Sequence, residues 1–270
     1  MKLSIITVNL NNRDGLQKTI DSVVSQTFRD FEWIVIDGGS TDGSKELIEQ
    51  YSDHFAYWVS EPDKGVYNAM NKGIKVAKGD YLQFLNSGDW LCDVRTLQRV
   101  FRLDYDEDIV FSNKCIMCSY DGTSIVIERE YGNRFTPFNI VHKTINHQSA
   151  FIRRILFDRF GYYDESYKII ADRKFFFDAI LCHNATTAML DFIVVFMDAE
   201  GISSTEDSSH EKERLICEYM PVSSVSDYYE HIRQLEFIKK NQHAFEVYSE
   251  LRKHRLIRKV MHFLYRVFAK

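Results

Sequence analysis

Short apolar runs alternate with segments of helical periodicity over residues 1–90, and this alternation constrains the fold more than any other feature of the chain. The runs SIITV, FEWIVID, AYWVS and YLQFL are typical of buried strands. A strand-helix order repeated in this way requires crossover connections, which make neighbouring strands parallel and place helices on both faces of the sheet. The sequence therefore predicts an α/β fold with a mostly parallel central sheet.

Three helices are predicted between these strands. The first places Leu16, Ile20, Val23 and Val24 on one face, and the second falls on KELIEQYS. The third, GVYNAMNKGIKVAKG, is expected to end at Gly79, because glycine is favoured just beyond the C-terminus of a helix.

Polar residues lie just after three of the apolar runs. They are Asn9, Asp37 and Asp89. Ligands in open parallel sheets bind beyond the carboxyl ends of the strands, so we expect these three side chains to line one cleft.

The turn after the second strand, DGGSTDGS, combines a carboxylate with small residues. A carboxylate in the position of Asp37 can accept a hydrogen bond from the imide N–H of uracil, and Gly39 and Ser40 let a nucleoside approach the backbone closely. The turn also has the composition of a helix N-terminus, in which Ser40, Thr41 and Asp42 would cap the second helix. The sequence leaves both interpretations open.

Asp89 lies in the loop NSGDW, after the fourth apolar run. Mg²⁺ and Mn²⁺ prefer one or two carboxylates together with phosphate oxygens and water, which makes Asp89 a candidate metal ligand. An aspartate beside Gly88 also fits a purely structural turn.

Composition excludes several classes of protein. The net charge is −5, but the segment 251–270 contributes +7, so the rest of the chain carries −12. An acidic body argues against nucleic-acid binding, which needs a basic face along the phosphates. Five cysteines, an odd number spread over 270 residues, argue against a disulfide framework.

Other nucleotide-binding classes lack their motifs in this sequence. No G-x-G-x-x-G follows the first strand, where a dinucleotide would need it, and no G-x-x-x-x-G-K-[ST] of a P-loop kinase is present. A nucleotidylyltransferase would need a Gly-rich, Arg-bearing loop near the first strand, and the sequence has none there.

Four blocks of the chain, in order, resemble the inverting glycosyltransferases of family two, which adopt the GT-A fold. The blocks are SIITVNLNN, SVVSQTFRDFEWIVIDGGSTDGS, SEPDKGVYNAMNKGIKVAKGDYLQFLNSGD and GYYDESYKIIADRKFF. The likeness is strong from Lys2 to Trp90 and thins out towards residue 200. It implies transfer of a hexosyl or N-acetylhexosaminyl group from a nucleotide diphosphate, with UDP favoured, to an acceptor hydroxyl with inversion.

The resemblance also implies which residues hold the donor. Nucleoside-binding positions of the family fall on Thr7, Asn9 and Asp37. A loop before the third helix that reaches the donor falls on Asp63, Lys64 and Gly65.

The metal motif of the family is Asp-x-Asp, often within Asp-Ser-Asp-Asp. In this chain it corresponds to Asn86, Ser87, Gly88 and Asp89, which keeps only the last acid. The resemblance implies a Mn²⁺ or Mg²⁺ cofactor with Asp89 as its ligand. Variants with this loop resemble the branch that builds bacterial surface polysaccharides, which implies an acceptor on a lipid carrier.

The general base of the family falls on Asp172, with Ala171 in place of the usual glutamate. A base there would remove the acceptor proton while the acceptor oxygen attacks the anomeric carbon. From its position alone, Asp172 is also a candidate N-cap of the helix RKFFFDAIL. Arg173 and His147 are candidate contacts to the diphosphate or the acceptor.

We predict three regions. Residues 1–90 form the donor-binding half, residues 91–225 form the acceptor-binding half of the same domain, and residues 226–270 form a helical, amphipathic and basic appendage. No apolar run approaches the roughly 20 residues needed to cross a bilayer, and no cleavage pattern follows Met1, so a cytoplasmic location is expected. The alternative function is a degenerate domain that binds a nucleotide sugar or scaffolds partners without turnover.

The segment 251–270 carries seven Lys or Arg and no acid. As a helix it would place Ile257, Val260 and Leu264 on one face and most of its basic residues elsewhere, which is typical of a helix lying in a membrane surface. A helix docked on the protein's own core or on a partner has the same pattern.

Deleting residues 251–270 should abolish binding to anionic liposomes in a flotation assay, because basic residues near the surface supply most of the attraction to anionic lipid. Zwitterionic liposomes are the control. Equal flotation of the full-length and truncated chains would show that this segment does not bind the membrane.

Overall fold

The computed structural model describes residues 1–118, 123–128, 135–136, 139–142, 144–199, 201, 205–243 and 246. The segment 251–270, with its predicted membrane helix, lies outside the described residues. The chain divides into two compact units, Met1–Glu211 and Lys212–Lys270.

The strands alternate with helices over the first 90 residues, as the sequence predicts. The strands among the described residues are β1 (Leu3–Asn9), β2 (Phe31–Asp37), β3 (Tyr57–Ser60), β4 (Tyr81–Phe84), β5 (Trp90–Leu91), β6 (Ile109–Ser112), β7 (Lys114–Cys118), β8 (Ser124–Glu128), β9 (Ala150–Arg153), β10 (Thr187–Leu190) and β11 (Val195–Asp198). The α-helices are α1 (Arg13–Val24), α2 (Ser44–Gln50), α3 (Val66–Val76), α4 (Thr96–Val100), α5 (Asn139–His142), α6 (Arg154–Phe160), α7 (Ala171–Phe177), α8 (Ser209–Tyr219) and α9 (Val222–Lys240).

A central sheet of the described strands has the order β10-β6-β9-β4-β1-β2-β3. Its pairs are parallel except for β9, which runs antiparallel to both β4 and β6. The predicted mostly parallel sheet is therefore confirmed. A smaller sheet has the order β5-β11-β7-β8.

Helices cover both faces of the central sheet. On one face Ile5 of β1 shares a core cluster with Leu16 and Ile20 of α1. On the other face α3 packs so closely that a Cβ on Gly73 would come within 2.5 Å of Cγ2 of Ile6. Successive residues of β1 thus point into opposite cores, which explains why the whole strand is buried.

One predicted helix boundary was wrong. Helix α3 ends at Val76, because Ala77 is extended, with φ −68° and ψ 139°. Gly79 serves a close approach instead: its amide donates to Ser4 Oγ at 2.8 Å, and a Cβ there would come within 2.5 Å of the carbonyl carbon of Leu3. The last described helix spans Val222–Lys240.

Among the described residues, no helix combines the length and the apolar character needed to cross a bilayer.

Replacing Gly79 by alanine should lower the free energy of unfolding by roughly 1–3 kcal/mol, because the new methyl group meets backbone atoms of β1 that cannot rotate away. Urea unfolding followed by circular dichroism measures the change. Gly201→Ala is the matched control, since its nearest neighbour would be 3.6 Å away, in ordinary contact. Equal stability of both variants would contradict this explanation of Gly79.

Candidate functional site

Three polar side chains lie side by side at the carboxyl ends of β1, β2 and β3. In the parallel register Asn9 is opposite Asp37, and Asp37 is opposite Ser60. Asn9 Nδ2 donates to Oδ1 of Asp37 at 2.7 Å, and Ser60 Oγ donates to Oδ2 at 2.6 Å. Two of these residues were predicted to converge, and Ser60 was missed although it also ends an apolar run.

Asp37 is fully buried, and its carboxylate holds the turn that follows β2. Ser40 Oγ donates to Oδ1 at 2.6 Å, and the amides of Gly39 and Ser40 donate to Oδ2 at 3.2 and 3.0 Å. Burial raises the pKa of Asp37, but the hydrogen bonds from Ser40, Ser60 and Asn9 outweigh burial and hold the pKa below its ordinary value. A ligand here therefore meets a turn held by Asp37 rather than a free carboxylate.

The sequence leaves open whether Ser40, Thr41 and Asp42 cap α2, and in the structure Ser40 and Thr41 do not. The N-cap position is Gly43, at φ 92°. Asp42 accepts hydrogen bonds from the amide and hydroxyl of Ser44, at 3.1 and 2.6 Å, so it is the acid that turns the chain into α2.

Thr7 lies below the cleft. The side chain is fully buried, and its hydroxyl accepts a hydrogen bond from Trp33 Nε1 at 3.0 Å. The contact ties β1 to β2, so any effect of Thr7 on a nucleoside is through the position of the strand ends.

The loop between β3 and α3 folds over the Asp37 turn. A Cβ on Gly38 would lie 2.6 Å from Oδ2 of Asp63, so the carboxylate of Asp63 occupies the space that a side chain at position 38 would need. The other oxygen, Oδ1, accepts from the amide of Gly65 at 2.8 Å. Gly65 has φ 120°, a conformation that favours glycine, and Lys64 beside it is exposed.

The loop Asn86–Asp89 lies next to the row of Asn9, Asp37 and Ser60, because β4 pairs with β1. The amide of Ser87 donates to the carbonyl of Val8 at 3.0 Å. Helix α1 holds the rest of the loop: Asn12 Nδ2 donates to the carbonyl of Ser87 at 3.1 Å, and Thr19 Oγ1 donates to the carbonyl of Asp89 at 2.8 Å. Asn12 and Thr19 were not predicted, because nothing in the sequence relates α1 to this loop.

Asp89 is 5% exposed, and burial raises its pKa to about 7. A hydrogen bond from the amide of Asp198, at 3.0 Å from Oδ1, and the charge of His147 oppose this rise. Burial outweighs both effects, so the ionised form of Asp89 is disfavoured in this site and would be favoured by a further positive charge. Asp89 therefore has the property expected of a cation ligand.

Asp198, at the end of β11, brings a second carboxylate to this loop. A Cβ on Gly88 would lie 2.9 Å from Oδ2 of Asp198, and Gly88 has φ 98°. Asp198 was missed by the sequence analysis, although it follows the apolar run FIVVFM just as Asp37 follows a strand.

A divalent cation fits these oxygens when a ligand completes its coordination. Among the described residues no three His, Cys, Asp or Glu side chains are close enough to hold a metal by themselves. Asn86 Oδ1 is buried and has no hydrogen-bond partner within the part of the chain that is described. Carboxylates of Asp89 and Asp198 with this amide oxygen form the kind of set that Mg²⁺ or Mn²⁺ shares with phosphate oxygens and water.

Asp172 lies in the first turn of α7, and it does not cap the helix, because the N-cap position is Ile170. Tyr67 Oη donates to its Oδ1 at 2.8 Å, and Nδ1 of His147 lies 2.9 Å from its Oδ2. Burial raises the pKa of Asp172, but the hydrogen bond and charge of His147 and the hydrogen bond from Tyr67 outweigh it, and the pKa is lowered. The sequence analysis missed Tyr67, which comes from α3. Arg173, next in the helix, is half-buried.

The loop before α7 is fixed by Glu211 of α8. Its carboxylate accepts from the amides of Lys168, Ile169 and Ile170, at 2.6, 3.0 and 3.1 Å. These amides precede the first turn of α7, where Asp172 lies. The position of Asp172 is thus set from one side by Glu211 and from the other by Tyr67.

The two acid groups lie close to one another. His147 bonds to Asp172, and its charge lowers the pKa of Asp89, while the neighbouring Gln148 side chain hydrogen-bonds to Asp89. The predicted cation ligand and the predicted base are therefore connected through one short turn, His147–Ser149. Asp37 ends β2, which lies two strands from β4 in the sheet, and the loop Asn86–Asp89 follows β4 at the same edge.

Comparisons with known proteins agree with this arrangement. The family model Glycosyl transferase family 2 matches residues 4–160. An uncharacterised glycosyltransferase of Mycobacterium tuberculosis is 32% identical over 217 residues, which are 77% of this chain and 79% of that protein.

Two solved structures share the fold. S. aureus TarS 1–349 in complex with UDP-GlcNAc has a TM-score of 0.65 at 22% identity, over 80% of this chain and 65% of that chain. This chain spans only 43% of a longer TarS chain. A mannosyltransferase from Pyrobaculum calidifontis in complex with GDP-Man and Mn²⁺ has a TM-score of 0.53 at 15% identity, over 72% of this chain and 56% of that chain.

A parallel sheet with this cluster of acids at its strand ends defines a sugar transferase of the GT-A type. The chain belongs to glycosyltransferase family 2.

Replacing Asp37 by asparagine should lower the free energy of unfolding at neutral pH by roughly 2 kcal/mol, since charge-assisted hydrogen bonds to a buried carboxylate are lost. The folded-state pKa of Asp37 is lowered, so its contribution is present above the unfolded pKa of about 3.9 and is lost as the pH falls through the folded value. The stabilities of wild type and Asp37→Asn should therefore converge as the pH falls from about 3.9 through the lowered folded-state pKa of Asp37.

Urea unfolding of wild type and Asp37→Asn at several pH values measures this. Asp14→Asn is the control, because the side chain of Asp14 is 93% exposed. A difference that persists unchanged at acid pH would contradict a role for the ionised carboxylate.

Proposed function

We propose that this glycosyltransferase uses a UDP-sugar and inverts the configuration of the transferred hexosyl or N-acetylhexosaminyl group. The observation that carries the proposal is the link between the two acids: the turn His147–Ser149 contacts both Asp89 and Asp172. When a hydroxyl attacks an anomeric carbon and a diphosphate leaves, a proton acceptor acts on the side of the hydroxyl and a cation acts on the side of the diphosphate.

The nucleoside would lie over the Asp37 turn. Asn9, Asp37, Gly39 and Ser40 build the floor of this part of the cleft, and Thr7 supports it from below. Because the oxygens of Asp37 already accept several hydrogen bonds, the carboxylate of Asp63 over Gly38 is the better acceptor for the imide N–H of uracil. Lys64 and Gly65 would follow the nucleoside towards the diphosphate.

The diphosphate would lie at the loop Asn86, Ser87, Gly88 and Asp89. Asp89 and Asp198 would hold Mn²⁺ or Mg²⁺ there, and the cation would neutralise charge on the departing diphosphate. Gly88, with φ 98°, leaves room for the carboxylate of Asp198 to lie beside this loop. Arg173 would add a positive charge on the side of the diphosphate opposite to the cation.

In the transfer step the acceptor oxygen forms a bond to the anomeric carbon as the bond to the diphosphate breaks. The electron pair of the broken bond leaves with the diphosphate, and the hydroxyl proton passes to the group that contains Asp172 and His147. Attack opposite the leaving group inverts the configuration.

We propose that the acceptor belongs to a bacterial surface polysaccharide and is carried on a lipid. The basic, amphipathic segment 251–270 supports a position on the inner face of the cell membrane, where such an acceptor would be found. The Asn-Ser-Gly-Asp loop supports the same branch by resemblance.

A domain that binds nucleotide sugars without turnover is the second candidate. One observation favours it: Gly88 stands where the family motif has an acid, and no three acids or imidazoles cluster among the described residues.

Wild type should release UDP from a UDP-sugar in the presence of Mn²⁺, and Asp89→Ala should reduce the rate at least 100-fold because the leaving diphosphate loses its cation. Asp172→Asn should reduce the rate to a similar extent. A coupled assay for UDP with a panel of UDP-sugars and acceptors measures both, and Asp14→Asn is the control for substitution of an acid.

Isothermal titration with UDP accompanies the assay. If wild type and both variants bound UDP with equal affinity and were equally inert, the scaffold function would replace the transferase. If GDP-sugars alone were turned over, the assignment of uracil and of Asp63 would be wrong.

A further inference from the structure

The small sheet β5-β11-β7-β8 has one face in the core and one face outside it. Alternate residues of a strand point to opposite faces of a sheet. The inner face contains Leu91, Cys115, Val195 and Met197, all of which are buried. The alternate set of residues on β5, β11 and β7 points the other way and is half-buried. These residues form the outer face of the small sheet.

Strand register aligns four apolar side chains across the outer face. Phe196 of β11 is opposite Trp90 of β5 on one side and Ile116 of β7 on the other, and Ile116 is opposite Val126 of β8. We call these four residues the apolar row. Neighbouring strands are about 4.8 Å apart, so the row is about 14 Å long. Val126, at its far end, is 59% exposed.

A polar row runs beside the apolar row, two residues away on each strand. Asp198 is opposite Cys118, and Cys118 is opposite Ser124. Two residues of a strand span roughly 7 Å. Asp198 is the acid whose carboxylate lies beside Gly88, in the loop at which the diphosphate would lie. The apolar row therefore starts next to the proposed site of transfer.

The apolar row changes in character along its length. At the end nearer to the loop Asn86–Asp89, the rings of Trp90 and Phe196 are stacked, with centroids 5.2 Å apart and an angle of 10° between their planes. The ammonium of Lys18 lies 5.6 Å from the centroid of the Trp90 ring. The far end of the row is aliphatic. The negative faces of aromatic rings attract the C–H groups of a sugar ring, whereas aliphatic side chains favour contact with a hydrocarbon chain.

Contiguous exposed apolar surface with a polar rim marks a place where a ligand or a partner binds. We propose that, in the transfer reaction on which this inference rests, the acceptor is a glycolipid that lies along the apolar row. Its sugar contacts Trp90 and Phe196, beside the polar row, and its hydrocarbon chain lies over Ile116 and Val126. The order of the row favours this occupant, because the aromatic pair is next to the reacting loop and the aliphatic pair leads away from it.

Val126→Asp tests the contact with the hydrocarbon chain, because covering a charge with apolar groups is costly. With a dodecyl glycoside below its micelle concentration as acceptor, we expect KM to rise at least tenfold while kcat changes less than threefold. KM for the matching methyl glycoside and for the UDP-sugar should not change. Ile125→Asp is the matched control, since Ile125 is the adjacent residue, is 63% exposed and points to the opposite face. Equal effects of both substitutions, or no effect of either, would overturn the proposal.

Fluorescence measures binding without turnover. A dodecyl glycoside brominated near the middle of its chain should quench Trp90 in a saturable way, and the quenching should be lost in Val126→Asp but kept in Ile125→Asp. Trp90→Phe gives the background from Trp33 and Trp58. Absence of saturable quenching in wild type would overturn this inference even if sugar is transferred. Quenching in a chain that turns over no donor would instead count against the proposed transferase.

Two other occupants of the apolar row are distinguished by the same variants. Vesicles of brominated phosphatidylcholine would quench Trp90 in the absence of acceptor if the row contacted the bilayer. Sedimentation velocity would show a dimer of wild type and a monomer of Val126→Asp if a second copy of the chain covered the row. We expect neither result, and either one would overturn the proposal.

Discussion

The buried carboxylate of Asp37 joins the ends of three parallel strands, and the shape of the cleft depends on it. It accepts hydrogen bonds from Asn9 on β1 and Ser60 on β3, and it holds the turn that contains Gly39 and Ser40. Parallel pairing places these groups at one level, and burial makes each of their hydrogen bonds costly to break. The loop that carries Asp63 then has a fixed surface on which to fold.

At two places in this cleft, an acid from a distant part of the chain fills the space that a side chain at a glycine position would need. The space beside Gly38 is filled by the carboxylate of Asp63, and the space beside Gly88 is filled by Asp198. In both cases a side chain from another segment places a second carboxylate near an acid of the local sequence, Asp37 or Asp89. Asp198 of β11 thus provides a carboxylate beside Gly88, the position where the family motif has an acid and this chain does not.

Local pattern was sufficient for the sheet and for part of the site. The alternation of apolar runs and helical segments predicted the parallel sheet. The position of Asn9 and Asp37 just after such runs predicted that these two side chains meet at the strand ends. The pattern failed where contacts join distant segments: Gly79 has the composition of a helix stop, but it is required by the close approach of Ser4. Strand β9 is antiparallel, which no local feature indicates.

By itself the sequence determined the type and order of the elements, because apolar periodicity and turn residues act within a few positions of one another. Tertiary structure alone decided which polar groups meet. Tyr67 and Asp172 are 105 residues apart, Asp89 and Asp198 are 109 apart, and each pair is joined by a hydrogen bond. Such contacts arise from how strands and helices pack, so the hydrogen bonds and the pKa shifts of these acids follow from the fold and not from any motif.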